Sequence, residues 1–350
     1  MSARNGMSLA MGTYNGANYI GDQLDSLAKQ TVPPAELVIT DDGSTDGTLD
    51  VVAQFAKKSP FPVRFEKNIE RLGYRKNFMQ AANMCTGTLI GFCDQDDIWF
   101  PNKIVSCLAA FDNPDTLLTY HNATVTSVKL SPIGTLEAHA APKKVNPAQS
   151  MDPWSYGLGF TLVFRRSLMD YESFWPKSID YNAPQHHEAH DQWFFFLAST
   201  LGSINYIAEP LALYRQHDTN ACGWNGSSSL NRSLQNLAKT SVTDIKTRQD
   251  VAIARATILE ALGKSLNGDM NLRATRAANG YRLMAARYAA RHALYMANNP
   301  ISKIGMLAAF AGRGGYLAKN RWGVGPQALV RDIVRGILMP QKSAANDKPT

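Results

Sequence analysis

The chain has 350 residues, 45% hydrophobic, 19% charged and 9% aromatic, a composition that excludes disorder, collagen and coiled coil and suits about two domains. Long uncharged stretches such as 77–93 and 192–208 are interrupted by polar residues and fall short of the ~20 apolar residues of a membrane span. The net charge of +7 is unevenly divided: residues 1–227 carry 17 Lys/Arg against 23 Asp/Glu, and residues 228–350 carry 19 against 6.

The apolar run that follows Arg4 passes straight into Thr13-Tyr14-Asn15-Gly16. It reads as a strand over Ser8–Thr13, not as a signal peptide. A helix pattern follows over Tyr19–Lys29, then a β-branched strand over Glu36–Thr40. Asp46 is expected to cap the next helix, which runs through Lys57 with Leu49, Val52, Ala53 and Ala56 at helical spacing. Val63–Glu66 reads as a third strand, Tyr74–Met84 as a third helix and Thr88–Cys93 as a fourth strand. Pro101 is expected to open the next helix, where its missing N–H costs nothing. Such alternation with short connections implies βαβ units and a doubly wound α/β sheet. The apolar run Phe160–Phe164 reads as a further core strand. From about residue 230 the pattern turns helical, with Val242–Leu262 and Arg273–Met296 at three- and four-residue spacing and a break at Pro300.

In doubly wound sheets ligands bind outside the carboxyl ends of the strands. Two carboxylate clusters sit at such ends: Asp41-Asp42 and Asp94-Gln95-Asp96-Asp97. Three acids in four residues repel one another, and a divalent cation offsets that repulsion; all-oxygen ligands favour Mg²⁺ or Mn²⁺. An exposed acidic turn is the plainer account of either cluster alone. The position at a buried strand's end favours the metal. No GxGxxG and no GxxxxGK[ST] occurs, which disfavours a Rossmann dehydrogenase and a P-loop enzyme.

The ordered set Thr13-Tyr14-Asn15-Gly16, DDGSTDGT at 41–48, Asn68, Gly73, Asn77-Phe78 and CDQDDIWFPNK at 93–103 resembles the family 2 glycosyltransferases of the GT-A fold. His190-Asp191-Gln192-Trp193 and Tyr214-Arg215-Gln216-His217, with Asn220 and Gly223, extend the likeness to bacterial rhamnosyltransferase-like members. It covers about residues 7–225. The resemblance implies an inverting, metal-dependent hexosyltransferase with a doubly wound mixed sheet. It implies a donor site of Thr13, Tyr14, Asn15, Asp42, Asp94 and Arg215, metal contacts from Asp96 and His217, and Asp191 as the base that deprotonates the acceptor. The implied donor is a nucleotide sugar, dTDP-rhamnose or a UDP-sugar, and the acceptor a saccharide or lipid-linked saccharide in cell-surface polysaccharide synthesis. Thr88, where many relatives carry an acid, and Gln192, where an aromatic is common, depart from the family pattern.

Trp154, Tyr156, His190 and Trp193 are candidate acceptor contacts, since aromatic faces line concave ligand sites; core packing is the alternative for each. His186-His187-Glu188-Ala189-His190 holds three imidazoles and a carboxylate, but its spacing fails the zincin pattern. It reads as a loop leading to the Asp191 helix. Cys85, Cys93, Cys107 and Cys222 show no CxxC spacing, which points to a reduced, cytoplasmic compartment.

The expected division is a catalytic domain over 1–227, a basic helical region over 228–340 and a polar tail over 341–350. Nucleic-acid binding by the basic region lacks interleaved aromatics. Peripheral attachment to an anionic inner membrane face suits pieces such as Ile304–Phe310 and Leu329–Met339, with a solvated helical face as the plain alternative. A nucleotide-sugar-binding, membrane-recruited scaffold without catalysis is the runner-up reading, and a metal-dependent nucleotidyltransferase or hydrolase using Asp94 and Asp96 is a third. Asp94, Asp96, Asp191 and His217 argue against the scaffold.

Overall fold

A computed structural model describes residues 6–136, 143–218, 220, 223–224 and 242–338. The polar tail, Cys222 and Met339 lie outside these residues. The chain divides into two compact units, one within Met1–Pro176 and Glu188–Gly226, the other within Lys177–His187 and Ser227–Thr350. The short segment 177–187, which the sequence does not mark, joins the second unit.

The first unit is built on a ten-stranded mixed sheet. Its strands are β1 (Met7–Thr13), β2 (Glu36–Asp41), β3 (Val63–Lys67), β4 (Leu89–Phe92), β5 (Ile98–Trp99), β6 (Thr116–Thr126), β7 (Pro132–Thr135), β8 (Val145–Asn146), β9 (Leu162–Arg165) and β10 (Ser203–Arg215). The order is β3-β2-β1-β4-β9-β6-β10-β5, with β7 on β6 and β8 on β10. β1, β2, β3 and β4 pair in parallel. β9 is inserted antiparallel between β4 and β6, which makes the sheet mixed.

The helices of this unit are α1 (Ile20–Ala28), α2 (Thr48–Lys58), α3 (Tyr74–Met84), α4 (Lys103–Ala109) and α5 (His190–Leu201). β1 and β2 are almost wholly buried runs, as strands covered on both faces must be. Met7, Leu9, Met11, Leu37 and Ile39 belong to the core, with Leu24 and Leu27 of α1 and Phe55 of α2. The expected elements of the first 110 residues are present within one or two residues.

Two caps differ from expectation. Gly47, at φ 77°, takes the N-cap position of α2, a conformation that favours glycine. Asp46 lies one residue earlier, and its carboxylate accepts from the Thr48 and Ala17 amides at 3.1 and 3.0 Å. Pro101 does not open α4 either; Asn102 is the cap. The Pro101 carbonyl instead accepts from the Thr31 amide at 2.9 Å, which ties this turn to the loop after α1.

The second unit contains helices over Val242–Gly263, Gly268–Met296, Pro300–Gly312 and Pro326–Arg331. Pro300 starts a helix as well as ending the previous pattern: it stands at the first helical position, behind an Asn299 cap. A buried Arg291–Asp332 pair at 2.6 Å anchors this unit's core, and the Tyr295 and Tyr316 hydroxyls also donate to Asp332.

Candidate active site

The parallel register sets β2, β1 and β4 side by side, so Asp41-Asp42, Thr13-Tyr14 and Asp94–Asp97 emerge together at the carboxyl ends of neighbouring strands. A cavity of about 410 Å³ opens there. Thr13, Tyr14, Asp42, Asp94, Asp96, His190 and Asp191 border it. Asn15, Arg215, His217, Trp154, Tyr156 and Trp193 are not among its lining residues.

The turn chemistry explains this arrangement. Asp41 is fully buried and accepts from the Thr13 hydroxyl at 2.8 Å and from the Ser44 amide at 2.8 Å. It is therefore a structural carboxylate. Asp42 accepts from the Leu72 and Gly73 amides at 2.6 and 2.8 Å and from Asn68 at 3.1 Å. Charge-assisted bonds of this kind are short and strong, and they fold the 68–73 loop over the cavity. Gly73 turns at φ 75° to make this possible. On that loop the Arg71 guanidinium lies 4.0 Å from the Tyr14 ring centroid.

Tyr14 and Gln95 clasp one another: the Tyr14 amide donates to Gln95 Oε1 and Gln95 Nε2 to the Tyr14 carbonyl, both at 3.1 Å. The Asn15 side chain accepts from the Thr45 amide at 2.9 Å, which joins the loops after β1 and β2. Asn15 thus shapes the rim from outside the cavity.

Asp94, Asp96 and Asp97 each bring a carboxylate oxygen within 4.8 Å of the others, the one such grouping of potential metal ligands found among the described residues. Burial, then the Asp96 and Asp191 carboxylates, raise the Asp94 pKa. Burial, Asp96 and Asp94 push Asp97 well above the usual carboxylate range. His217 Nε2 lies 2.8 Å from Asp96 Oδ2, and its ring stacks on Tyr19 at 4.5 Å. Carboxylate oxygens with one imidazole form a donor set that fits Mg²⁺ or Mn²⁺. Asp96 and His217 would hold such an ion, with Asp94 beside them.

Arg215 is buried and engaged elsewhere. Its guanidinium meets Asp22 at 2.8 Å, and its backbone amide donates to Asp97 at 3.1 Å. Lys103 is also buried, and the sequence assigned it no role. It donates to the Phe160 carbonyl at 2.7 Å and lies 3.3 Å from the Trp99 ring centroid. Burial lowers its pKa to about 8, against the opposing pull of Asp97 and Asp94.

α5 begins at His190, so Asp191 stands in its first turn, where the helix dipole favours a carboxylate. His190 is 5% exposed and held between rings, stacked on Phe78 at 4.3 Å and edge-on to Phe92 at 4.5 Å. Neither of its ring nitrogens has a hydrogen-bond partner among the described residues. Burial lowers its pKa to about 3. Trp193 is fully buried behind the site. Tyr214 and Asn220 also line the cavity; both lie in recognisable sequence motifs. Arg71, Tyr74 and Gln95 carried no separate signal.

Residues 8–172 match the family model described as glycosyl transferase family 2. The chain is 30% identical over 228 residues to the dTDP-rhamnosyl transferase RfbG of Shigella flexneri, covering 61% of this chain and 74% of that one. It is 26% identical over 220 residues to a glycosyltransferase of Nostoc sp., alr2836, covering 61% of this chain and 66% of the relative. The chain thus spans just under two thirds of the Nostoc relative, and 59% of a Mycobacterium bovis protein, Mb1547. Among solved structures, S. aureus TarS 1–349 in complex with UDP overlays with a TM-score of 0.49 and 18% identity, covering 81% of this chain and 91% of that one.

Proposed function

This chain belongs to glycosyl transferase family 2, and we propose that its acidic cavity transfers a sugar from a nucleoside diphosphate to an acceptor hydroxyl, inverting the anomeric carbon. The observation that carries this reading is that Asp191, on α5, borders the same cavity as Asp94 and Asp96 after β4. A base and a diphosphate-charge site on one cavity are what a single displacement needs.

The residues divide the work. Thr13, Tyr14 and the Asp42-anchored 68–73 loop enclose the nucleotide end. The acceptor oxygen attacks the anomeric carbon as its proton passes to the Asp191 carboxylate, and the bond to the diphosphate breaks. Asp96 and His217 would hold a divalent cation, which would supply positive charge to the departing diphosphate. Arg215 acts through its pair with Asp22 and its bond to Asp97, which holds the Asp94–Asp97 turn in position. His190, held between Phe78 and Phe92 at the start of α5, packs beside the base and fixes where that helix begins.

The donor is dTDP-rhamnose, on the strength of the 30% identical relative named for that reaction, and the acceptor is a saccharide. The test is release of dTDP from dTDP-rhamnose, run beside UDP-sugars, with Mn²⁺, Mg²⁺ or a chelator. Metal-dependent turnover of dTDP-rhamnose is the expected result. Turnover of a UDP-sugar alone would replace the donor, and no turnover of any donor would favour a binding scaffold.

A further inference from the structure

The helix Pro300–Gly312 is inside out. Asn299 caps it by accepting from the Ile301 amide at 2.8 Å, with Pro300 at its first position. Its two buried side chains are Lys303 and Phe310. Lys303 Nζ donates to the Gly336 carbonyl at 2.8 Å, and Phe310 packs edge-on against Tyr316 at 4.8 Å. The opposite face is apolar: Ile301, Ile304, Ala308 and Ala311, spaced as one helical stripe, are all exposed. Ile301 is 79% and Ile304 53% exposed. No charged residue other than Lys303 lies on this helix.

The sequence around this helix is strongly basic. From Asn271 to Arg331 there are ten Lys and Arg and no Asp or Glu. Arg282 and Arg291 are paired with Glu260 and Asp332, at 2.8 and 2.6 Å. Arg287 reaches toward the Arg313 and Arg321 carbonyls at 3.4 and 3.5 Å, gathering three arginines at the carboxyl end of the apolar helix.

We propose that this face docks on an anionic lipid surface, with the Ile301–Ile304 stripe in the acyl boundary and the arginines at the headgroups. Attachment of an exposed apolar helix face to the interface scales with the apolar area it buries, and each Lys or Arg near an anionic leaflet strengthens it. A second copy of the chain is disfavoured, because it would bring the same positive segment against itself. No helix among the described residues is long and apolar enough to cross a membrane.

The test is flotation of the full chain with phosphatidylcholine vesicles, with and without phosphatidylglycerol. The chain floats with the anionic vesicles and is released by salt. The double variant Ile301→Glu/Ile304→Glu loses at least about tenfold in affinity, since burying either side chain is worth that much. Arg313→Gln/Arg321→Gln loses about fivefold for each charge removed. Circular dichroism and the thermal midpoint check that both variants fold. Absence of flotation, or flotation of the Ile301→Glu/Ile304→Glu variant equal to the parent's, overturns the proposal. A dimer in light scattering that this variant abolishes, without flotation of the parent, overturns it in favour of a second copy.

Discussion

His217 and Asp96 stand 121 residues apart in the chain and meet with Nε2 2.8 Å from Oδ2. The imidazole is also stacked on Tyr19, so its orientation is fixed from two sides. His217→Ala is expected to weaken metal affinity by at least about 10- to 100-fold, the loss that follows even when only a group orienting a ligand is removed. Titration of Mn²⁺ against donor hydrolysis measures it. An unchanged metal requirement would remove His217 from the cation site.

Asp191 is expected to act on the acceptor alone. Asp191→Asn should lower kcat by roughly 10²- to 10⁴-fold while leaving the donor-induced thermal shift intact. An equal loss of donor binding would assign Asp191 to the donor instead.

Gly159 leaves room for His190. A Cβ at this glycine would stand 2.7 Å from His190 Nε2, closer than packed atoms tolerate. Gly159→Ala is expected to cost about 1–3 kcal/mol, and most of that cost should vanish in a His190→Ala background. Urea unfolding of the four proteins of this double-mutant cycle reads the coupling. Additive losses would show that the two positions are independent.

His190 also makes stability depend on pH. Burial, and secondarily Arg75, depress its pKa to about 3, against an ordinary 6.5. Tyr74 and Arg75 face it from α3, and Asp191 adjoins it on α5. Because the folded pKa is depressed, the unfolded chain takes up the proton first. The contribution is complete above about pH 6.5 and is lost as pH falls toward 3, by roughly 2 kcal/mol between pH 6.5 and 5. His190→Phe should flatten the urea midpoint over that window. Matching slopes in the two proteins would mean that His190 titrates freely.

The strands that carry the site were legible because short apolar runs end in acidic turns, a local signal that needs no tertiary information. β9 was legible as a strand, through Phe160–Phe164, but its antiparallel insertion between β4 and β6 was not, since pairing is set by distant partners. Trp193 illustrates a second limit: α5 is buried on nearly every side, so its periodicity does not mark which face meets a ligand. Arg215 illustrates a third. Its guanidinium pairs with Asp22, 193 residues away, and no local pattern in the sequence marks that partner. Lys103 hid for a different reason, because a lysine after a turn normally points to solvent.

The most direct test of the account is a donor panel read by thermal shift and by hydrolysis, with Mn²⁺, Mg²⁺ or EDTA, on the parent chain and on Asp96→Ala. At about 100 times its Kd, a donor stabilises the folded state by roughly 2.7 kcal/mol. The account predicts a metal-dependent shift with dTDP-rhamnose that Asp96→Ala abolishes. A shift that survives both EDTA and Asp96→Ala would contradict it.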